Sequence, residues 1–275
     1  MQLKNIDNLN LPERARFYLH KLIQVLEKTL GDRVHSIIMF GSLVKGYATK
    51  VSDADILIIV SDDCTKREIT FLNRLIMAFE VKFKYLIPPR GIVSQILYSV
   101  DKSTGMFISH FIVRKKDFIN GNFAKTFQVN RLVAKVLAPN EIVYGSVLCR
   151  AKVVFGHDLI SERIFSKVRR TQLLKSILMN LVTSLLALCI FPITKRATLY
   201  EMESAKWSML AAYYYVKHDS PQLPILLKYF IERDISANYV KRWMSLRSFY
   251  QPDFKFGMLT PLNILKIHIG ALKQK

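Results

Sequence analysis

The run Ile56-Leu57-Ile58-Ile59-Val60 constrains this chain more than any other stretch. Apolar residues without alternation describe a strand buried on both faces, as in the middle of a helix-covered sheet. Yet the residues leading into it are Ser52-Asp53-Ala54-Asp55. Carboxylates do not enter a doubly buried strand unless they stop short of it as solvated caps or their charge is compensated. Side chains alternate along an extended segment, so Asp53 and Asp55 share a face and Ala54 takes the other. Two carboxylates held that close repel each other, and a divalent cation such as Mg²⁺ relieves the repulsion. Some ten residues upstream, a second apolar stretch, "RVHSIIMF", ends in Gly41-Ser42. A glycine turn there lets backbone N–H groups and the Ser42 hydroxyl approach phosphate oxygens. The two halves together describe a metal–phosphate site.

The surrounding pattern is α/β. Leu11 to Leu30 has helical spacing with Pro12 in its first turn, and Gly31 ends it. Cys64 to Glu80 is helical again. "VKFKYLI" alternates like an edge or half-buried strand, and Gly105 to Val113 reads as a further strand. From about Ala124 the periods become helical, with Pro139, Pro192, Pro221 and Pro261 as punctuation. The expected organisation is an α/β (α+β) domain with a mixed sheet over residues 1–125, then an all-α helical bundle over 126–275.

Charge narrows the partners. Lys and Arg number 41 against 21 Asp and Glu, for a net charge of +20, which favours polyanions such as RNA or nucleotide phosphates. The basic stretches "VRKKDF" (113–118) and "SKVRRTQLLK" (166–175) are candidates for backbone-phosphate contact, with a solvated face as the plainer reading. Cys64, Cys149 and Cys189 lie far apart and without zinc-ligand spacing, which excludes a disulfide framework or a structural zinc as an organising element. The first twenty residues contain no signal-peptide h-region, so the cytoplasm is the expected location. Leu173 to Ile193 is apolar over the length of a bilayer span, but Lys175, Asn180 and Pro192 interrupt it. It is expected to be a buried bundle helix, with no membrane partner. In Glu203 to His218, Lys206 and Tyr213 to Tyr215 could meet a phosphate and a base, although aromatic residues at helical spacing more often pack a core.

"FGSLVKGYATKVSDADILIIV" resembles the signature of the DNA polymerase β-like nucleotidyltransferase superfamily, in which h-G-[GS] is followed about ten residues later by D-h-[DE]-h. The likeness takes in Gly41, Ser42, the Lys45-Gly46 pair, Ser52, both aspartates and the apolar run. It implies that Gly41, Ser42 and Lys45 bind the nucleotide phosphates and that Asp53 and Asp55 are catalytic metal ligands for Mg²⁺, or Mn²⁺ in its place. The implied reaction moves a nucleoside monophosphate from an NTP, with ATP the expected donor, to a hydroxyl. The family usually adds a third carboxylate from a later strand. Here the candidates are Asp101, Glu80 and Asp117, with Ser109 and His110 standing where an acid is looked for. The alternative is therefore a non-catalytic nucleotide- or RNA-binding protein built on the same site. The bundle resembles HEPN-type helical domains, but Arg247 lacks the nearby His that their ribonuclease form requires.

Overall fold

The computed structural model describes residues 6, 9–45, 54–85, 95, 108–163 and 168–274. Helix α1 (Glu13–Leu30) turns Tyr18, Leu19, Leu22, Ile23 and Leu26 inward. It leads through a short 3-10 turn into β1 (Val34–Met39) and the one-turn α2 (Gly41–Val44). Then follow β2 (Ile56–Val60), buried at every position as its composition requires, and α3 (Lys66–Lys82). Thr65 starts α3 with a capping box: its hydroxyl accepts from the Glu68 N–H, and Glu68 Oε2 accepts from the Thr65 N–H at 2.8 Å. Those bonds and Arg33 hold the Glu68 carboxyl down at about 2.

The helix α3 runs on through Val81 and Lys82, where an alternating strand was expected. Leu72, Ile76, Phe79 and Phe83 keep helical spacing onto the core and outweigh the short alternation of "VKFKYLI". The strand expected over residues 105–113 is β3 (His110–Arg114), and the residues 105–107 before it lie outside the described set. Short helices α4 (Lys115–Ile119), α5 (Phe123–Thr126), α6 (Arg131–Val136) and α7 (Asn140–Leu148) come next, and then β4 (Lys152–Gly156).

The four strands form one mixed sheet in the order β3-β2-β1-β4. Strand β2 pairs parallel with β3, while β1 pairs antiparallel with both β2 and β4. The sequence reading held no strand in "KVVFG". It is short and lies between helical runs, and its pairing with β1 is a non-local contact that periodicity does not carry. Alternation sorts the sheet into two faces. Ile56, Ile58, Val60 and Ile112 join α1 and α3 in one core, and Leu57, Ile59 and Phe111 take the other face.

The chain divides into two compact units, residues 1–134 with 150–164, and 135–149 with 165–275. The second is helical. To α7 it adds α8 (Arg170–Ile190), α9 (Ala197–Lys217), α10 (Leu223–Glu232), α11 (Ala237–Ser248) and α12 (Phe254–Leu272). Helices α8, α9 and α12 pack against one another. Contrary to expectation, α8 is buried by few of its leucines. Its inward stripe is Gln172, Leu173, Ser176, Asn180, Ser184 and Ala187, and Leu174, Leu178, Leu185 and Leu186 face outward.

Candidate nucleotide-binding site

Antiparallel pairing sets Met39 of β1 opposite Ile56 of β2, so the end of one strand lies beside the start of the other. The pairing continues one step beyond the strands, where the Phe40 N–H donates to the Asp55 carbonyl at 3.0 Å. The chain then turns at Gly41, whose φ of +77° is left-handed and favours glycine. A Cβ on residue 41 would lie 1.9 Å from Asp55 Oδ2 and 2.8 Å from its Cγ. The Asp55 carboxylate thus rests on the Gly41 backbone, in a space that any side chain at position 41 would occupy. The two halves of the motif, separated in sequence, meet at atomic contact.

Gly41 and Ser42 open α2, and the Lys45 N–H donates to the Gly41 carbonyl at 3.3 Å to close it. Gly41, Ser42, Lys45 and Asp55 are all partly exposed, whereas Ala54 between the aspartates is buried. Asp53, Gly46 and Ser52 lie outside the described residues. Among the described residues no group of three or more His, Cys, Asp and Glu comes together as a metal cluster. The donors available to a metal here are carboxylate oxygens, of which Asp55 is the described one, and hard oxygen donors suit Mg²⁺ or Mn²⁺ rather than a thiophilic metal.

The three further acids go different ways. Asp101 lies outside the described residues. Asp117, on α4, accepts from Lys125 Nζ at 2.8 Å and from Asn122 Nδ2 at 3.3 Å. Glu80 is buried on the last turns of α3, where its Oε1 accepts from Ser109 Oγ at 2.6 Å and pairs with His110 Nδ1 at 2.8 Å. Parallel register sets His110 beside Ile56, and alternation therefore sends His110 to the face covered by α1 and α3. Asp55, one residue before Ile56, alternates to the opposite face. Glu80 and His110 thus form a buried polar pair within the core behind the sheet. Burial, with the Glu80 carboxylate as a lesser cause, raises the phenol of Tyr18 well above its ordinary range.

Residues 19–116 match the nucleotidyltransferase domain family. Those residues are a nucleotidyltransferase domain. The domain opens within α1, closes within α4 and contains the Gly41–Asp55 contact. Among solved structures, the chain is similar to the spectinomycin adenyltransferase AAD(9) from Enterococcus faecialis, determined with ATP and spectinomycin. The TM-score is 0.57 at 13% identity, over 94% of this chain and 98% of that one. At that identity the likeness concerns the fold, and it takes in the helical region as well as the nucleotidyltransferase domain. No curated protein matches the chain.

Several of the other sequence candidates have structural partners. Arg114 of "VRKKDF" donates to the Cys64 carbonyl at 2.9 and 2.7 Å. In "SKVRRTQLLK", Arg169 pairs with Glu141 at 2.8 Å, and Lys175 Nζ donates to the Lys135 carbonyl at 2.6 Å. In the 203–218 helix, Lys206 pairs with Glu203, Tyr214 and Tyr215 are buried, and Tyr213 meets the ring of Tyr229 edge-on at 4.8 Å. Packing accounts for these aromatics. The Glu80–His110 pair escaped the sequence reading because its members lie thirty positions apart on different elements. Its only signal was a lone polar residue on each of two apolar faces.

Proposed function

We propose that the nucleotidyltransferase domain transfers AMP from ATP to a hydroxyl of a small-molecule acceptor, with Mg²⁺. The observation that carries this reading is the contact of Asp55 with Gly41, which gathers a carboxylate and a phosphate-binding turn at one point. In this reading Asp53 and Asp55 hold the metal. Gly41 and Ser42 hold the outer phosphates through N–H groups at the start of α2, and Lys45 meets them through its ammonium. Bound there, Mg²⁺ neutralises phosphate charge and stabilises the entering and leaving oxygens. The acceptor oxygen forms a bond to the α-phosphorus as the bond to the bridging oxygen breaks, and pyrophosphate leaves with that electron pair. The acceptor proton passes to a base. Asp101 is the acid we propose for that role, since Glu80 and Asp117 are engaged elsewhere.

The small-molecule acceptor is supported by the solved neighbour, whose fold likeness spans nearly the whole chain and whose named ligands are ATP and spectinomycin. An RNA acceptor is the second reading, favoured by the net charge of +20. Incubation with α-labelled ATP, GTP, CTP or UTP and Mg²⁺, against hydroxylated small molecules, RNA and protein, separates these readings. We expect label from ATP in the small-molecule fraction and its loss in Asp53→Ala and Asp55→Ala. Label in RNA would replace the acceptor. Nucleotide bound but never transferred, with every acceptor class present, would leave a binding protein with a degenerate site.

A further inference from the structure

We propose that the outer face of α8 and α12 docks on an anionic lipid surface. The two helices lie side by side and antiparallel. Ser176 Oγ is 3.0 Å from His268 Nε2 at one end, and the rings of Phe191 and Phe254 are 5.0 Å apart at the other. Leu174, Leu178 and Leu185 of α8, and Met258, Leu262 and Ile269 of α12, are each between 45% and 58% exposed. On both helices these residues fall at i, i+4 and i+11, which is one line along the surface. The buried side of α8 is mostly small and polar, Gln172, Ser176, Asn180, Ser184 and Ala187 beside Leu173, and α12 buries Thr260, Asn263 and His268 beside Phe256, Ile264 and Ile267. A bundle made for water alone keeps such leucine rows off its outer face. On α8, small and polar residues between helices with a leucine row outside suit packing against hydrocarbon. Helix α8 reaches a mean hydropathy of 2.0 with 28% of that window buried.

The charges around this face decide its occupant. Neither α8 nor α12 contains an Asp or Glu. Lys255, Lys266 and Lys273 are exposed at i, i+11 and i+18, one line flanking the apolar row of α12. Arg169 and Arg170 stand at the start of α8, and Lys195 and Arg196 follow its end, all exposed. With both ends of α8 basic, a second copy laid on this face in either direction sets like charges together. An anionic headgroup layer meets the lysines while the leucines enter the acyl boundary. Nucleic acid would use the lysines and leave the leucines in water. Lys175 within α8 and Lys266 within α12 favour a helix pair lying on the membrane over one crossing it. The expectation of no membrane partner rested on α8 being a core helix, and four of its leucines, Leu174, Leu178, Leu185 and Leu186, are not in the core.

The test is co-sedimentation of the full-length protein with vesicles of phosphatidylcholine alone, and of an equal mixture with phosphatidylglycerol. We expect the anionic vesicles to be bound at least about 10-fold more tightly. A variant carrying Leu178→Glu, Leu185→Glu and Leu262→Glu loses binding by at least about 10-fold while keeping its circular dichroism and its oligomeric state. Lys255→Glu with Lys266→Glu and Lys273→Glu loses roughly 100-fold, from about 1 kcal/mol per cation. The same net-charge change made on α3, with Lys66→Glu, Arg67→Glu and Arg74→Glu, leaves binding in place. Equal loss from the α3 variant would reduce the effect to overall charge and overturn the proposal. So would a dimer that the leucine variant disperses, without any effect on vesicles, because the face would then belong to a second copy.

Discussion

Gly41→Ala tests the central geometry of the candidate site. The methyl group would start 1.9 Å from Asp55 Oδ2, where real contacts begin near 3.0 Å, so the carboxylate must retreat by about 1 Å or more. A shift of that size at a reacting centre costs on the order of 100-fold in rate. The backbone cost is separate. Placing alanine at φ +77° costs about 1–2 kcal/mol, which lowers Tm by roughly 2–4 °C in a chain of this size. Gly31→Ala is the matched control: Gly31 also has positive φ, +56°, but a Cβ there meets nothing within 4 Å. Both variants should lose stability in thermal denaturation, and only Gly41→Ala should lose label transfer from α-labelled ATP, or Mg–ATP binding by calorimetry. Wild-type transfer and binding in folded Gly41→Ala would refute the argument, because the Asp55 carboxylate would then have no need of its place on the turn.

Further expectations follow from named contacts. Asp55→Asn should abolish transfer while leaving Tm within a degree or two, since an amide keeps the shape and loses the charge that a metal needs. Glu80→Ala should behave oppositely, lowering stability by about 3 kcal/mol in denaturant melts because Ser109 Oγ and His110 Nδ1 lose a buried partner; Mg–ATP affinity per folded molecule should stay unchanged, and a specific loss of binding would place Glu80 at the site instead. In the helical unit, burial pushes the Glu201 carboxyl up to about 8 and the His268 imidazole down to about 4. A raised carboxyl pKa means stability present at low pH and lost as pH rises through the folded value. A lowered imidazole pKa means stability lost as pH falls through it. The two slopes cancel between about pH 4.5 and 6.5, and from there to about pH 8 Glu201 alone costs on the order of 2 kcal/mol. Glu201→Gln should flatten that alkaline limb in urea melts across the range, and an unchanged limb would assign it to another group.

The fold and the motif differ in how much of each was legible from sequence. The doubly buried β2, the glycine turn and the spacing between them were local signals, and the α/β order followed from period alone. What escaped was non-local. Strand β4 is a strand only because β1 lies beside it, and α3 runs on through Val81 and Lys82 because Phe79 and Phe83 find the core. The close approach of Asp55 to Gly41 depends on register between two strands, which no single segment encodes. The spacing suggests that the two halves of the motif meet, and the fold adds the contact that favours glycine at position 41.

The helical unit shows a different failure of sequence reasoning. Hydrophobicity suggests inwardness there, yet the buried stripe of α8 is mostly polar, Gln172, Ser176, Asn180 and Ser184 with Leu173 and Ala187, and Leu174, Leu178, Leu185 and Leu186 are outside. The polar stripe is held by its own bonds. Asn180 Nδ2 donates to the Ser176 carbonyl at 2.8 Å, Ser184 Oγ donates to Glu201, and His268 Nδ1 donates to the Ile264 carbonyl at 2.8 Å. Burial strips water from the Glu201 carboxyl, which is why it favours the neutral form there despite the Ser184 bond. The Ser184–Glu201 bond and the 3.0 Å pairing of His268 Nε2 with Ser176 Oγ tie α8 to its neighbours through polar groups, which leaves Leu174, Leu178, Leu185 and Leu186 to an outer surface. The interior and the exterior of α8 thus answer to different solvents, and a single hydropathy average over the helix conceals the division.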